Sequence, residues 1–356
     1  MNPSNNSPAL SIVMPVFNHP NFVAVMIDSI VRNDFADWEL LAVDDGSDAE
    51  TLSLLRKYAA ADQRILLVQR ERQPKGAQTC RNIGMERAQS EFIVFFDSDD
   101  FVAPHCLRQR VEAMRQNPGM DFLVFPSGTY EQEQFRPDAK QYVYGYPIYS
   151  NDLKAFSRRT LPFIVWNNIY RLSALRDRQL QWNEQLRALQ DADFNVAALL
   201  AGLRYSYVQA APDYGYRINS SSASVSKKIV SDELRRNNLY ATELACERLQ
   251  SHCQHRYDHD LYRGVLTIYN RVFTDGVDWD YASGFVNILL QRTPFWGKVL
   301  RLQVKASRLL ARFLPAKAAR QLPMACHLLT TTFARKFLHP LCIKKKWWRN
   351  RNVIKR

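Results

Sequence analysis

Four short apolar runs early in the chain, each ending in a polar turn and separated by segments of helical pattern, restrict it to one class of fold. Residues 10–16 end at Phe17-Asn18-His19-Pro20, residues 38–43 at Asp44-Asp45-Gly46-Ser47, residues 64–69 ahead of the Lys75-Gly76 loop, and residues 92–96 at Asp97. Runs of this length bounded by turn formers read as strands. Between them, residues 22–32, 51–60 and 80–88 have helical character, and Val23, Met26, Ile27 and Ile30 fall on one face of the first. Strand and helix alternating with brief connections predict an α/β, Rossmann-like fold with a doubly wound, mostly parallel sheet. Ligands bind beyond the carboxyl ends of the strands in such a sheet. Asn18, Asp44-Asp45 and Asp97-Ser98-Asp99 should therefore converge on one rim.

Residues 92–96 are apolar throughout, as in a strand covered on both faces, and Asp97, Asp99 and Asp100 follow at once. Like charges this close raise one another's pKa. A divalent cation relieves that repulsion, and hard oxygen ligands on a short turn suit Mg²⁺ or Mn²⁺. Taken alone, the same turn is also consistent with a solvated cap for the next helix.

Further along, a helix is expected from Pro104 to about Asn117 and a strand over residues 121–126. The Tyr-, Gln- and Pro-rich residues 130–149 suggest an irregular loop over the site. Residues 166–171 suggest a strand or turn, and residues 191–203 a helix. From Ser231 onward the pattern is helical, which places a domain boundary near Ser226 and divides the chain into residues 1–226, 227–290 and 291–356.

Charge is distributed unevenly. The net charge is +13, yet no Asp or Glu occurs from Tyr281 to the end. That stretch holds 17 of the 48 basic residues, so the rest of the chain carries 31 against 35 acids and is mildly acidic. Residues 296–314 place Val299, Leu302, Ala306, Leu309, Leu310 and Phe313 at helical spacing among Lys298, Arg301, Lys305, Arg308 and Arg312. Lys344-Lys345-Lys346-Trp347-Trp348-Arg349 follows. A basic amphipathic stretch with interfacial Trp suits an anionic membrane surface; packing on the preceding domain is the other reading. Nucleic acid is not expected as a partner, because no binding module accompanies the tail. The six cysteines show no metal-ligand spacing and fit reduced thiols in a cytoplasmic protein. Met1 to Pro8 lacks the basic and apolar regions of a signal peptide, and no apolar run is long enough to span a membrane.

Four motifs in order, Ser11-Ile12-Val13-Met14-Pro15-Val16-Phe17-Asn18, Val43-Asp44-Asp45-Gly46-Ser47, Arg81-Asn82-Ile83-Gly84 and Phe96-Asp97-Ser98-Asp99-Asp100, resemble those of family 2 glycosyltransferases with the GT-A fold. The match covers residues 8–110 and continues more weakly to about Ser226. The resemblance implies an inverting transferase that takes a sugar from a nucleotide-sugar donor. It implies donor contacts from Pro15, Val16, Asn18, Asp45, Arg81, Asp97, Ser98 and Arg217, and a metal held among Asp99, Asp97 and Asp100. Asp45 resembles the residue that accepts from a base N–H, which favours uracil; Asp44 reads equally as a turn residue. Arg81 suits bidentate pairing with a diphosphate, and Arg217 is a candidate phosphate contact.

Relatives carry a Glu-Asp pair that supplies the base. Here Leu189-Gln190-Asp191-Ala192-Asp193 has Gln190 in place of the Glu, which leaves Asp191 as the expected base and Asp193 as its substitute. An Asp there is also a good helix cap. Trp166-Asn167 resembles an acceptor-side Trp-Asn-Lys element, with Asn168 replacing the Lys. Members of the family commonly build bacterial surface polysaccharides on lipid carriers. The expected acceptor is therefore a hydroxyl of a glycan or lipid-linked sugar, and the expected location the inner face of the cell membrane. The weakened Gln190-Asp191 element leaves a second expectation, a non-catalytic nucleotide-sugar-binding subunit of a glycan-assembly complex.

Overall fold

A computed structural model of the chain describes residues 7–138, 144–218, 232–273, 279–310, 312–313 and 353–355. The first half alternates as its pattern requires: β1 (Leu10–Val16), α1 (Pro20–Val31), β2 (Trp38–Asp44), α2 (Ala49–Ala61), β3 (Ile65–Gln69), α3 (Ala77–Arg87) and β4 (Phe92–Phe95). There follow β5 (Phe101–Val102), α4 (Cys106–Gln116), β6 (Phe122–Val124), β7 (Ser127–Glu131), β8 (Gln134–Arg136), α5 (Asp152–Ser157), β9 (Asn168–Arg171), α6 (Leu172–Asp177), α7 (Gln190–Leu200), β10 (Tyr205–Gln209) and β11 (Tyr214–Arg217). Four helices come next, α8 (Asp232–Cys253), α9 (Asp258–Phe273), α10 (Trp279–Arg292) and α11 (Pro294–Leu310), and a last strand, β12 (Val353–Lys355).

The main sheet runs β12-β10-β6-β9-β4-β1-β2-β3. It is parallel except for β9, which lies antiparallel between β4 and β6. Side chains alternate across a strand, and the sheet divides its apolar residues accordingly. Leu10, Ile12, Met14 and Val16 face α1 and α4 together with Leu40, Ala42, Phe92, Val94 and Phe96. Val13, Leu41, Val43, Ile93 and Phe95 face the other way, toward α3 and α7. Fully burying one such side chain contributes about 1.5–3 kcal/mol, so register along β1 is strongly fixed. Helix α3 lies tight on that strand because residue 84 is glycine; a Cβ there would come within 2.3 Å of Val13 Cγ1.

The second core face continues without a break into the helical extension. Cys246, Leu249, Leu261, Val265, Phe285, Leu289, Leu300 and Val304 join the cluster of Val13 and Phe95. The boundary expected near Ser226 falls outside the described residues.

Several elements differ from the sequence expectation. Within residues 130–149, expected to be irregular, the first part forms a β7–β8 hairpin whose turn residues Gln132 and Glu133 are both left-handed, while residues 144–149 have no helix or strand. That hairpin belongs to a second sheet, β5-β11-β7-β8, built over the carboxyl end of β4. Helix α7 stops at Leu200, short of the expected Leu203, because Gly202 takes a left-handed conformation two residues later. Strands β10 and β11 alternate tyrosine with small or polar residues, so no apolar run announces them.

Helix α11 carries two apolar faces rather than one. Leu300 and Val304 pack inward, while Phe295, Leu302 and Leu309, together with Phe313 just beyond the helix, are each more than half exposed. Lys298, Arg301, Lys305 and Arg308 are exposed beside them. No helix among the described residues is long and apolar enough to cross a membrane. The Lys344–Arg349 run lies outside the described residues.

Candidate active site

The carboxyl ends of β1, β2 and β4 bring the three predicted clusters to one rim, each held by its own turn. Asp44 accepts from the backbone N–H groups of Gly46 (3.1 Å) and Ser47 (3.1 Å), which makes it the turn residue. Asn18, itself left-handed, accepts from Asp48 N–H (2.9 Å), and its own N–H donates to Ser47 Oγ (3.0 Å), so the first two loops are stitched together. Pro15 and Val16 are buried strand residues whose neighbours in register are Val43 and Asp44. The Val16 carbonyl accepts from Asp45 N–H. Any contact these two make with a ligand is through backbone. Asp45 is buried, and its Oδ1 accepts from Arg70 Nε (2.5 Å) and Gly76 N–H (3.1 Å).

The acidic turn after β4 does not present three equivalent carboxylates. Asp100 is buried, with Oδ2 accepting from the Tyr214 hydroxyl (2.7 Å) and Oδ1 from Arg217 N–H (2.7 Å). The Tyr214 hydroxyl also accepts from Asp97 N–H (3.2 Å). Asp100 thus fastens the turn to β11, each of its oxygens already accepting one hydrogen bond. Among the described residues no three acidic, Cys or His side chains converge as a metal site. Two carboxylates remain. Asp97 Oδ1 accepts from Arg81 Nη2 (2.6 Å), and no other residue hydrogen-bonds the Asp99 carboxylate among the described residues. The Asp99 side chain reaches solvent, yet the protein packed around the turn and the Asp97 charge beside it raise its carboxyl above the usual range. A repelling carboxylate pair with free oxygens fits a hard divalent cation. Ser98 is half-buried between the two.

Arg217, at the end of β11, is buried and largely committed. Its Nε donates to the Asp99 carbonyl (2.6 Å) and its Nη1 to Glu133 Oε1 (2.8 Å), while the guanidinium lies over the rings of Phe22 and Tyr130. Its Nη2 is buried with no hydrogen-bond partner in the structure. That orphan donor beside the Asp99 turn suits a phosphate oxygen. Glu133, which no motif flagged, comes from the tip of the β7–β8 hairpin.

Arg81 takes a different place from the one expected. It is fully buried over the Trp182 ring (4.5 Å), donates to Asp97, and donates through Nη1 to Gln190 Oε1 (3.1 Å). It links the acidic turn to the start of α7 instead of standing free for a diphosphate. At that start, Leu189 is left-handed and carries no side-chain cap. Asp191 follows, with Oδ1 buried and unpartnered. Burial raises its pKa to about 6, opposed by Arg81 and reinforced by Asp97. Asp193 differs: it is ion-paired with Arg248 of α8 (2.7 Å). Of the two carboxylates, Asp193 is held by Arg248 and Asp191 Oδ1 has no hydrogen-bond partner.

Trp166 is buried and stacks on Tyr214 (ring centroids 4.6 Å) and Tyr216 (5.9 Å). Asn167 bonds Ile164 N–H and the Phe125 carbonyl, and Asn168 bonds Tyr170 and Asn195. All three are interior, so the side chains of Trp166 and Asn167 stiffen the floor of the cleft.

Residues 11–178 match the family model described as Glycosyl transferase family 2. Over 224 residues the chain is 27% identical to the uncharacterized glycosyltransferase EpsJ of Bacillus subtilis, covering 60% of this chain and 62% of that protein. It is 34% identical over 122 residues to the UDP-Glc:alpha-D-GlcNAc-diphosphoundecaprenol beta-1,3-glucosyltransferase WfgD of Escherichia coli, covering 34% of this chain and 46% of that one. These matches span less than two thirds of either relative. Among solved structures, S. aureus TarS 1-349 with UDP-GlcNAc superimposes with a TM-score of 0.64 at 17% identity, over 89% of this chain and 91% of that chain. The fold is therefore GT-A.

Proposed function

Residues 11–178 belong to glycosyl transferase family 2, and from that premise we propose that the chain is an inverting glycosyltransferase. It moves a sugar from a nucleotide-sugar donor, a UDP-sugar, to a hydroxyl of a glycan or lipid-linked acceptor in cell-surface polysaccharide synthesis. One observation carries this reading: Asp191, whose Oδ1 has no hydrogen-bond partner and whose pKa is raised to about 6, lies near enough to feel the charge of Asp97, on the rim that also holds Asp99. Base and leaving-group machinery thus share one cleft. In the reaction the acceptor oxygen attacks the anomeric carbon while its proton passes to Asp191. The bond from that carbon to the diphosphate breaks, and the leaving nucleotide keeps the electron pair. Arg217 Nη2 donates to the developing phosphate charge. Asp97 and Asp99 would hold Mg²⁺ or Mn²⁺, which neutralises the diphosphate when bound. Asp45, through Oδ2, accepts from the base N–H, and Pro15, Val16 and Asn18 frame the nucleoside through backbone and amide groups.

Release of UDP from a panel of UDP-sugars, with Mn²⁺ and a crude lipid-linked acceptor fraction, tests the reading. Release that is abolished by EDTA and by Asp99→Ala is expected. Tight UDP binding without release would replace the transferase by a nucleotide-sugar-binding subunit, and no UDP binding would remove the donor assignment.

The outward face of α11 supports a membrane location on the cytoplasmic side. Phe295, Leu302 and Leu309 recur at seven-residue spacing beside Lys298, Arg301, Lys305 and Arg308, a pattern suited to the interface of an anionic bilayer. Each basic residue near such a surface contributes about 1 kcal/mol. The chain should sediment with vesicles containing anionic lipid and not with zwitterionic ones, and replacement of the three apolar residues by Ser should abolish sedimentation. A wild-type chain that stays in the supernatant at low salt refutes this location.

A further inference from the structure

The loop that delivers Asp191 has two sets of supports. On the donor side, Asn82 bonds both Trp182 N–H (2.8 Å) and the Trp182 carbonyl (3.0 Å), and Arg72 pairs with Glu184 (2.9 Å). A Cβ on Gly76 would lie 2.5 Å from Arg187 Nη1, so that guanidinium rests on the glycine whose N–H holds Asp45. On the other side stands α8, in the extension beyond the family match. Asn237 Oδ1 accepts from Arg187 N–H (2.8 Å) and Ala188 N–H (2.9 Å), and its Nδ2 donates to the Gln185 carbonyl (2.9 Å). One side chain thereby satisfies three backbone groups of a loop that ends at left-handed Leu189, two residues before Asp191. Arg248, three helical turns along, holds Asp193.

We propose that α8 is part of the transfer machinery, and that Asn237 is a positioning residue that sets the Asp191 carboxylate through the 185–188 loop. The inference rests on the transferase reading. A non-glycine residue at positive φ is strained and persists only where its surroundings over-determine it. Here the three bonds from Asn237 supply that restraint at the adjoining residues. Without them the two N–H groups seek water, Leu189 relaxes and the first turn of α7 moves. Displacement of a catalytic group by about 1 Å costs on the order of a hundredfold in rate. Asn237 itself bonds none of β1, β2, β4 and β11, and the loop it braces meets the donor wall only through Arg187 at Gly76 and through Gln190 at Arg81. Asn237 thus acts on turnover ahead of nucleotide affinity.

The test compares wild type, Asn237→Ala and Asn237→Asp in the full chain. Asp keeps the acceptor for both N–H groups and loses only the bond to Gln185. The expected result is a loss of at least tenfold in kcat for Ala, an unchanged Kd for UDP, and recovery to within a few-fold of wild type for Asp. Amide hydrogen exchange should quicken at least tenfold in residues 185–193 of the Ala variant and stay the same in β1 and β4. An unchanged kcat or unchanged exchange in that loop overturns the proposal, as does UDP affinity falling in step with kcat. The two readings fail separately. A wild type that binds UDP and transfers nothing overturns both, whereas an active wild type matched by Asn237→Ala overturns this one alone.

Discussion

The two walls of the cleft are built on different principles. On the donor wall, the turn after β2 is fixed by its own residues, while Asp45, Asp97 and Asp100 also accept from Arg70, Arg81 and Tyr214. Asp44 is held by N–H groups two and three residues on, and Asp48 by Thr51 N–H in the same way. On the base wall, Asp191 gains its place from a loop braced by Asn82, Arg72 and Asn237, far away along the chain. A wall made from local turns writes itself into contiguous motifs. A wall assembled at long range leaves a faint trace, which is why the sequence offers both Asp191 and Asp193 beside an unexpected Gln190.

The most severe way to break this comparison is to remove the base while sparing the donor wall. Asp191→Asn should lower kcat by about 10²–10⁴-fold and leave the Kd for UDP unchanged by calorimetry; equal loss of both would show that the two walls are not separable. A smaller effect comes from pH. Burial raises the Asp191 pKa to about 6, and the base works only when deprotonated. Rate should therefore be full above that pH and fall about tenfold for each further unit of acidity below it. A pH–rate profile of wild type reads this directly, and an acid limb near pH 4 would assign the base elsewhere. The smallest effect is expected from Gly84→Ala, which sets a Cβ within 2.3 Å of Val13 Cγ1. Overpacking of this kind costs about 1–3 kcal/mol, so thermal unfolding should move down by several degrees while activity per folded molecule stays near wild type.

Much of the fold was legible because strand periodicity and turn chemistry act over a few residues. Strands β1 to β4 and helices α1, α3 and α4 lie within a few residues of where the pattern put them. Less legible were elements whose identity depends on partners. Strand β9 is inserted antiparallel between β4 and β6, and β11 owes its place to pairing with β5 and β7. Helix α11 looked like a single amphipathic face. Packing of Leu300 and Val304 on the extension's core divided it into two.

The sequence by itself determined the alternating α/β order, the two faces of the sheet and the rim where the acidic turns meet, since each follows from covalent geometry and local burial. Only the tertiary structure decided which carboxylates are at liberty to react. Asp44, Asp100 and Asp193 are spent on Gly46 and Ser47, on Tyr214 and Arg217, and on Arg248, while Asp99 and Asp191 accept no bond from another side chain among the described residues. The side chains are chemically identical. What separates a structural aspartate from a reactive one is the donor that reaches it, and for Asp100 and Asp193 that donor arrives from a distant part of the chain.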